Sequence, residues 1–269
     1  MILYLSPSRQ NANTYTGVNT NEKEQMEAVA AIVREKLESG YENIKIVTAT
    51  PGYTLAKRAT ECKAKECDFY LAIHSNAGGS GNGAGAVGFY QPGGKNSEAL
   101  ARTLVKELDA IAPVKSNRSQ NIVNGMSAFN GAGYAEIREP RNLDIPSVLI
   151  EVNFHDNATI AKWIVNNKNA IAAAIVKAIA NTFGLKARAG TNTQEPASGK
   201  ISYLARLIPV VPIRKGAGNN YALVKTLKGN GAYTIVEEAT AADGSKWGLL
   251  KTYEKDKSGW IPLEHTEKV

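Results

Sequence analysis

Five apolar residues in a row, Phe69-Tyr70-Leu71-Ala72-Ile73, run straight into His74-Ser75-Asn76-Ala77-Gly78-Gly79. An unbroken apolar run predicts a strand buried on both faces, as in a parallel sheet, with a small-residue loop at its end. Strand patterns also cover Ile2–Leu5, Ile44–Thr48, Ala86–Gln91, Gly133–Arg138 and Pro146–Phe154. Between them apolar residues recur at helical spacing. Met26, Val29, Ala30, Val33 and Leu37 predict a helix that starts at an Asn21 cap, has Glu24 as its capping-box partner, and ends at Gly40. Leu55–Glu66, Ser97–Ile111 and Ala158–Phe183 read as further helices, the last closed by Gly184. Ala112–Gly131 is long and polar and reads as a loop beside a cleft. This alternation predicts an α/β fold with a mainly parallel sheet covered by helices on both faces.

The texture changes at Ala187. Residues 187–200 have no periodicity and read as a linker, dividing the chain into a first domain of residues 1–186 and a second of 201–269. In the second, short strands are expected at Leu204–Val210, Tyr221–Lys225, Ala232–Glu237, Trp247–Thr252 and Gly259–Ile261, with glycine turns between them. That is the pattern of a small all-β barrel.

Composition narrows the setting. At 43% hydrophobic and 21% charged, the chain can bury a sizeable core. No apolar run approaches the roughly 18 residues that span a membrane. No basic region followed by an apolar stretch marks a signal peptide at Met1–Leu5, so synthesis in the cytosol is expected. The net charge is +7, and residues 200–269 carry 11 Lys/Arg against 7 Asp/Glu. Such an excess suits an anionic polymer, either nucleic acid or bacterial wall. No helix-turn-helix pattern, basic aromatic stripe or zinc-finger spacing favours nucleic acid. The only cysteines, Cys62 and Cys67, are expected in one charged helical stretch, where the helix turns them to different faces, and read as buried thiols.

In open α/β sheets, ligand chemistry collects at the carboxyl ends of the strands. His74 ends one strand and Glu151 another; Gln10 lies in the polar loop after the first strand, and Glu22 on the first turn of the first helix. Catalytic zinc takes three protein ligands and keeps one place for a water whose pKa falls to about 7. Glu151 could then relay the proton to a leaving nitrogen. Blander roles remain open: His74 could cap its loop, and Glu151 could pair with Arg138 or Arg9.

Three blocks carry a resemblance: Asn21-Glu22-Lys23-Glu24, Ala72-Ile73-His74-Ser75-Asn76-Ala77, and Pro146-Ser147-Val148-Leu149-Ile150-Glu151-Val152-Asn153-Phe154. In order and spacing over residues 1–185 they resemble zinc-dependent N-acetylmuramoyl-L-alanine amidases of the type-3 family. The resemblance implies that Glu22 and His74 bind zinc and that Glu151 is catalytic. The family's first ligand, a histidine in a Pro-Gly-His-Gly turn, is absent; the turn here is Ser6-Pro7-Ser8-Arg9-Gln10-Asn11. A clostridial phage-lysin subgroup carries glutamine there, which implies that the Gln10 carbonyl oxygen is the third ligand; the alternative is a hydrogen bond to a ligand water. His155 is expected behind the site or at a helix cap, and His265 at the surface.

Val211-Pro212-Ile213-Arg214-Lys215-Gly216, Lys246-Trp247 and Ser258-Gly259-Trp260-Ile261 are similar to bacterial SH3-like wall-binding domains. Trp247 and Trp260 are expected in the core, and Tyr203 and Tyr221 as ligand contacts. Together the two resemblances imply a peptidoglycan hydrolase acting on the wall, without membrane or nucleic-acid partners. The pairing suits a phage endolysin released through a holin pore, or else a sporulation or autolytic amidase. Two rival readings are a zinc peptidase or carboxypeptidase of the same wall, and a non-catalytic wall-binding protein.

Overall fold

The computed structural model describes residues 1–78, 80–188, 202–208, 210–219, 221–228, 231–241, 244–253 and 258–269. From residue 189 onward the expected linker lies outside them. Two compact units are present, Met1–Arg188 and Ala189–Val269.

In the first unit, β1 (Ile2–Pro7), β2 (Lys45–Thr48), β3 (Phe69–Asn76), β4 (Val87–Tyr90), β5 (Ile122–Asn124) and β6 (Ser147–Phe154) form one sheet in the order β2-β1-β3-β6-β4-β5. All neighbours are parallel except β4 and β6. Successive side chains of a strand face opposite sides. Leu3, Leu5, Phe69, Leu71, Ile73, Val148 and Ile150 therefore form a core with α1 (Glu22–Gly40), α3 (Ser97–Ile111), α5 (Ala158–Asn166) and α6 (Lys168–Phe183). Tyr4, Tyr70, Ala72 and Leu149 face the other way, toward Cys62 of α2 (Leu55–Ala64) and Ile137 of α4 (Ala135–Arg141). Helices thus cover both faces. Among the described residues, no helix is long and apolar enough to cross a membrane.

Helix α1 starts where the capping pattern places it: the Asn21 side chain accepts from the Glu24 amide at 3.0 Å. Asn21→Ala should cost about 1 kcal/mol in urea-induced unfolding, the usual loss for an N-cap side chain.

Four expectations are corrected. Gly133–Arg138 is no strand; its last four residues open helix α4, in which Glu136, Ile137 and Pro140 are buried. A stretch that stops at Arg138 covers only one turn of the helix, too little for a 3.6-residue period to register. The expected loop Ala112–Gly131 contains β5, a half-buried edge strand too short for its pattern to register. Ala158–Phe183 is two helices, because Asn167 leaves helical geometry at φ −123°, ψ 26° and turns its side-chain amide back to the Trp163 carbonyl. The cysteines do not share a helix. Glu66, at φ 53°, ends α2, the Cys67 amide bonds to the Cys62 carbonyl, and both thiols are free and buried.

The second unit is an antiparallel sheet of β7 (Tyr203–Leu207), β8 (Val210–Arg214), β9 (Leu223–Lys228), β10 (Ala232–Thr240), β11 (Lys246–Leu250), β12 (Trp260–Pro262) and β13 (Thr266–Lys268). Their order is β13-β7-β10-β11-β12-β8-β9. The expected strand Leu204–Val210 is divided between β7 and β8; Pro212 inside β8 masks it from a pattern reading, since proline usually demotes a strand. Trp247 and Trp260 are buried with Leu249. The Tyr203 hydroxyl donates to Glu238, and Tyr221 is exposed.

Candidate metal centre

Pairing of β3 with β6 sets Ala72 opposite Leu149, Ile73 opposite Ile150, and His74 opposite Glu151. His74 and Glu151, which lie two and three residues before the ends of their strands, both fall on the α2/α4 side of the sheet, because Tyr70, Ala72 and His74 alternate with Phe69, Leu71 and Ile73, and Leu149 and Glu151 with Val148 and Ile150. The capped first turn of α1 supplies the third side chain, Glu22. Glu22 Oε1 lies 3.0 Å from His74 Nδ1, and one ligand atom each of Glu22, His74 and Glu151 all lie within 4.8 Å of one another. All three residues are buried.

The electrostatics call for a cation. Burial disfavours a charged His74, but Glu136, Glu22 and Glu151 override it and push the imidazole up to about 10. Burial also opposes charge on Glu22, yet His74, Ser8 and Asn13 hold its carboxyl below the usual range. Glu151 is lifted by burial to about 7, although a charged His74 pulls it down. Its Oε2 is buried without a hydrogen-bond partner among the described residues. Three carboxylates around one imidazole, one of them with an orphaned oxygen, fit a divalent ion that accepts nitrogen and oxygen ligands. Neither alternative ion pair forms: Arg138 binds Glu139, and neither it nor Arg9 pairs with Glu151 among the described residues.

Gln10 is tied to the cluster through Asn13. Its carbonyl oxygen accepts from the Asn13 side-chain amide at 2.9 Å, and the same amide donates to Glu22 Oε2 at 2.7 Å. His155 backs the site: its Nδ1 shares a hydrogen bond with the Ser75 hydroxyl, its ring stacks on Tyr15, and the Ser75 amide donates to Glu22. His265 lies at the surface beside Glu264.

Sequence reasoning missed two side chains. Glu136 on α4 is buried, with Oε1 3.4 Å from His74 Nε2, and Arg58 on α2 lies 3.9 Å from Glu136. Neither belongs to a motif, and reading 133–138 as a strand concealed which way Glu136 faces. The only available signal was an acid and a base set among residues otherwise destined for the core. An open cleft of about 690 Å³ reaches the end of β1 and is lined by Pro7, Arg9, Asn11, Lys23, Arg34 and Arg58, among others.

Residues 8–181 match the model of the Amidase_3 family, described as N-acetylmuramoyl-L-alanine amidase. No protein of curated function matches the chain. Solved structures share the fold of the first unit at low identity. The catalytic domain of CwlV, an N-acetylmuramoyl-L-alanine amidase from Bacillus (Paenibacillus) polymyxa var. colistinus, is 17% identical, with a TM-score of 0.57 over 69% of this chain and 99% of that one. An N-acetylmuramoyl-L-alanine amidase from Clostridium difficile 630 is 19% identical, with a TM-score of 0.55 over 68% and 96%. The amidase Ami1 from Mycobacterium smegmatis is 16% identical, with a TM-score of 0.54 over 68% and 97%.

Proposed function

Because this chain belongs to the N-acetylmuramoyl-L-alanine amidase family, which cuts the amide between N-acetylmuramic acid and L-alanine in peptidoglycan, we propose that it does so at a zinc centre. Glu22 and His74 would hold the ion, Gln10 would add its amide oxygen on turning from Asn13, and Glu151 would be the catalytic acid-base. The observation that carries this reading is the in-register pair His74 and Glu151, closed by Glu22 within 4.8 Å.

A bound zinc ion supplies an acidified water and positive charge at the scissile carbonyl. Glu151, lifted to about 7, is suited to take a proton from that water as its oxygen bonds to the lactyl carbon. The same carboxyl returns the proton to the L-alanine nitrogen as the carbon–nitrogen bond breaks. A lactyl carboxylate and a peptide with a free amino terminus result. Arg9 in the neighbouring cleft suits a carboxylate of a stem peptide, whereas Lys23 and Arg34 there are paired with Glu27 and Glu38.

Residues 201–269 would serve as an SH3-like wall-binding module. The antiparallel strands and the surplus of 11 Lys/Arg over 7 Asp/Glu in residues 200–269 support that role. Joined to a catalytic domain of residues 1–186 by the 187–200 linker, such a module would raise the effective concentration of enzyme at its substrate. The biology we propose is that of a phage endolysin, set free through a holin pore.

Purified wall treated with the chain should release L-alanine amino termini from intact glycan, seen by mass spectrometry, with no new reducing ends. Chelation should bring release to background, and zinc should restore it. Release of other amino termini would favour a peptidase. Absence of any cleavage by a zinc-replete chain would leave a wall-binding protein.

A further inference from the structure

His74 has carboxylates on both ring nitrogens. Glu22 Oε1 faces Nδ1 at 3.0 Å, and Glu136 Oε1 faces Nε2 at 3.4 Å. An imidazole that binds a metal through one nitrogen carries a hydrogen on the other, and a carboxylate there fixes both the tautomer and the ring's aim. The structure assigns to Glu136 the positioning of His74, an inference that rests on the zinc-centre reading: Glu136 accepts the Nε2 hydrogen and leaves the Nδ1 lone pair turned toward Glu22 and the ion.

The surroundings of Glu136 fit this task. The Ser6 hydroxyl donates to it, at 3.1 Å and 3.0 Å to the two oxygens, and the Tyr70 hydroxyl donates to Oε2. Arg58 balances its charge from 3.9 Å, and is itself pinned through Nη1 to Ser6 Oγ at 2.8 Å and to the Pro7 carbonyl at 2.7 Å. Ser6, Tyr70 and His74 come from strands of one sheet, Glu136 from α4 and Arg58 from α2. The carboxylate is therefore locked from three elements before it meets the imidazole. At 3.4 Å the contact is at the long end for a hydrogen bond. Glu136 touches neither substrate nor reacting atoms, so it is a positioning residue. It matters more here than beside a three-histidine site, because the chain offers a single imidazole and a weaker amide in place of a second one.

The test is metal affinity, read independently of hydrolysis. Cobalt(II) would be competed against a chromophoric chelator for the full-length wild type, Glu136→Gln, and the double variant Glu136→Gln/Arg58→Met, which leaves no lone buried charge. Both variants should bind cobalt about 10- to 100-fold more weakly, with a shifted visible absorption band, while circular dichroism stays that of the wild type. If either folded variant binds cobalt with wild-type affinity and an unchanged band, the assignment is wrong although the metal centre stands. If the wild type itself binds neither cobalt nor zinc, the zinc reading falls, and this inference with it.

Discussion

Glu151→Gln is expected to slow amide release from purified wall by about 10²- to 10⁴-fold, the usual contribution of a positioned acid-base group. The substitution keeps the shape of a side chain that is buried within β6 opposite His74. What it removes is a carboxyl raised to about 7, able to accept a proton and give it back near neutral pH. Zinc content by elemental analysis decides between two roles. A folded variant that retains the metal and loses the rate marks Glu151 as the acid-base; one that loses both marks it as a ligand. Undiminished turbidity loss with wild-type metal content would end its assignment.

Arg58→Met should destabilise the first unit by about 3–5 kcal/mol in urea-induced unfolding, the cost of leaving one member of a buried ion pair uncompensated. Both side chains are almost fully enclosed, at 4% and 3% exposure, so water cannot take over the role of the lost partner. Adding Glu136→Gln should recover most of the loss, since a neutral amide can still meet Ser6 and Tyr70. A loss under about 1 kcal/mol for Arg58→Met would mean that the pair contributes little.

The central strands were legible because burial on both faces leaves an apolar run that few other structures produce. That run placed Phe69–His74 and Ser147–Glu151, and with them the two side chains, although β3 continues to Asn76 and β6 to Phe154 beyond them. Glu22 was legible through local chemistry, an asparagine cap and a capping box, which depend on nothing distant. Glu136 was hidden because its partners, Ser6, Arg58, Tyr70 and His74, are scattered along the chain and meet only in the folded unit. Its own neighbours in sequence, with one apolar residue per turn, carry too little pattern to tell helix from strand. The break at Asn167 escaped for a related reason: apolar residues continue on both sides of it, and a change of axis leaves the count of buried positions almost unaltered. Gln10 was visible as a polar residue in a functional loop, but its hydrogen bond to Asn13 depends on how that loop turns back on itself.

The pairing of β3 with β6 also has a consequence for synthesis. A ribosome delivers His74 long before Glu151, and β4, α3, β5 and α4 emerge in between while the middle of the sheet still lacks a member. A chain cut before Ser147 lacks both Glu151 and the strand that joins β3 to β4, and would be inert. Only when the last of the central strands slides into place do the imidazole and the carboxyl become neighbours, so a hazardous hydrolase would be switched on as a whole.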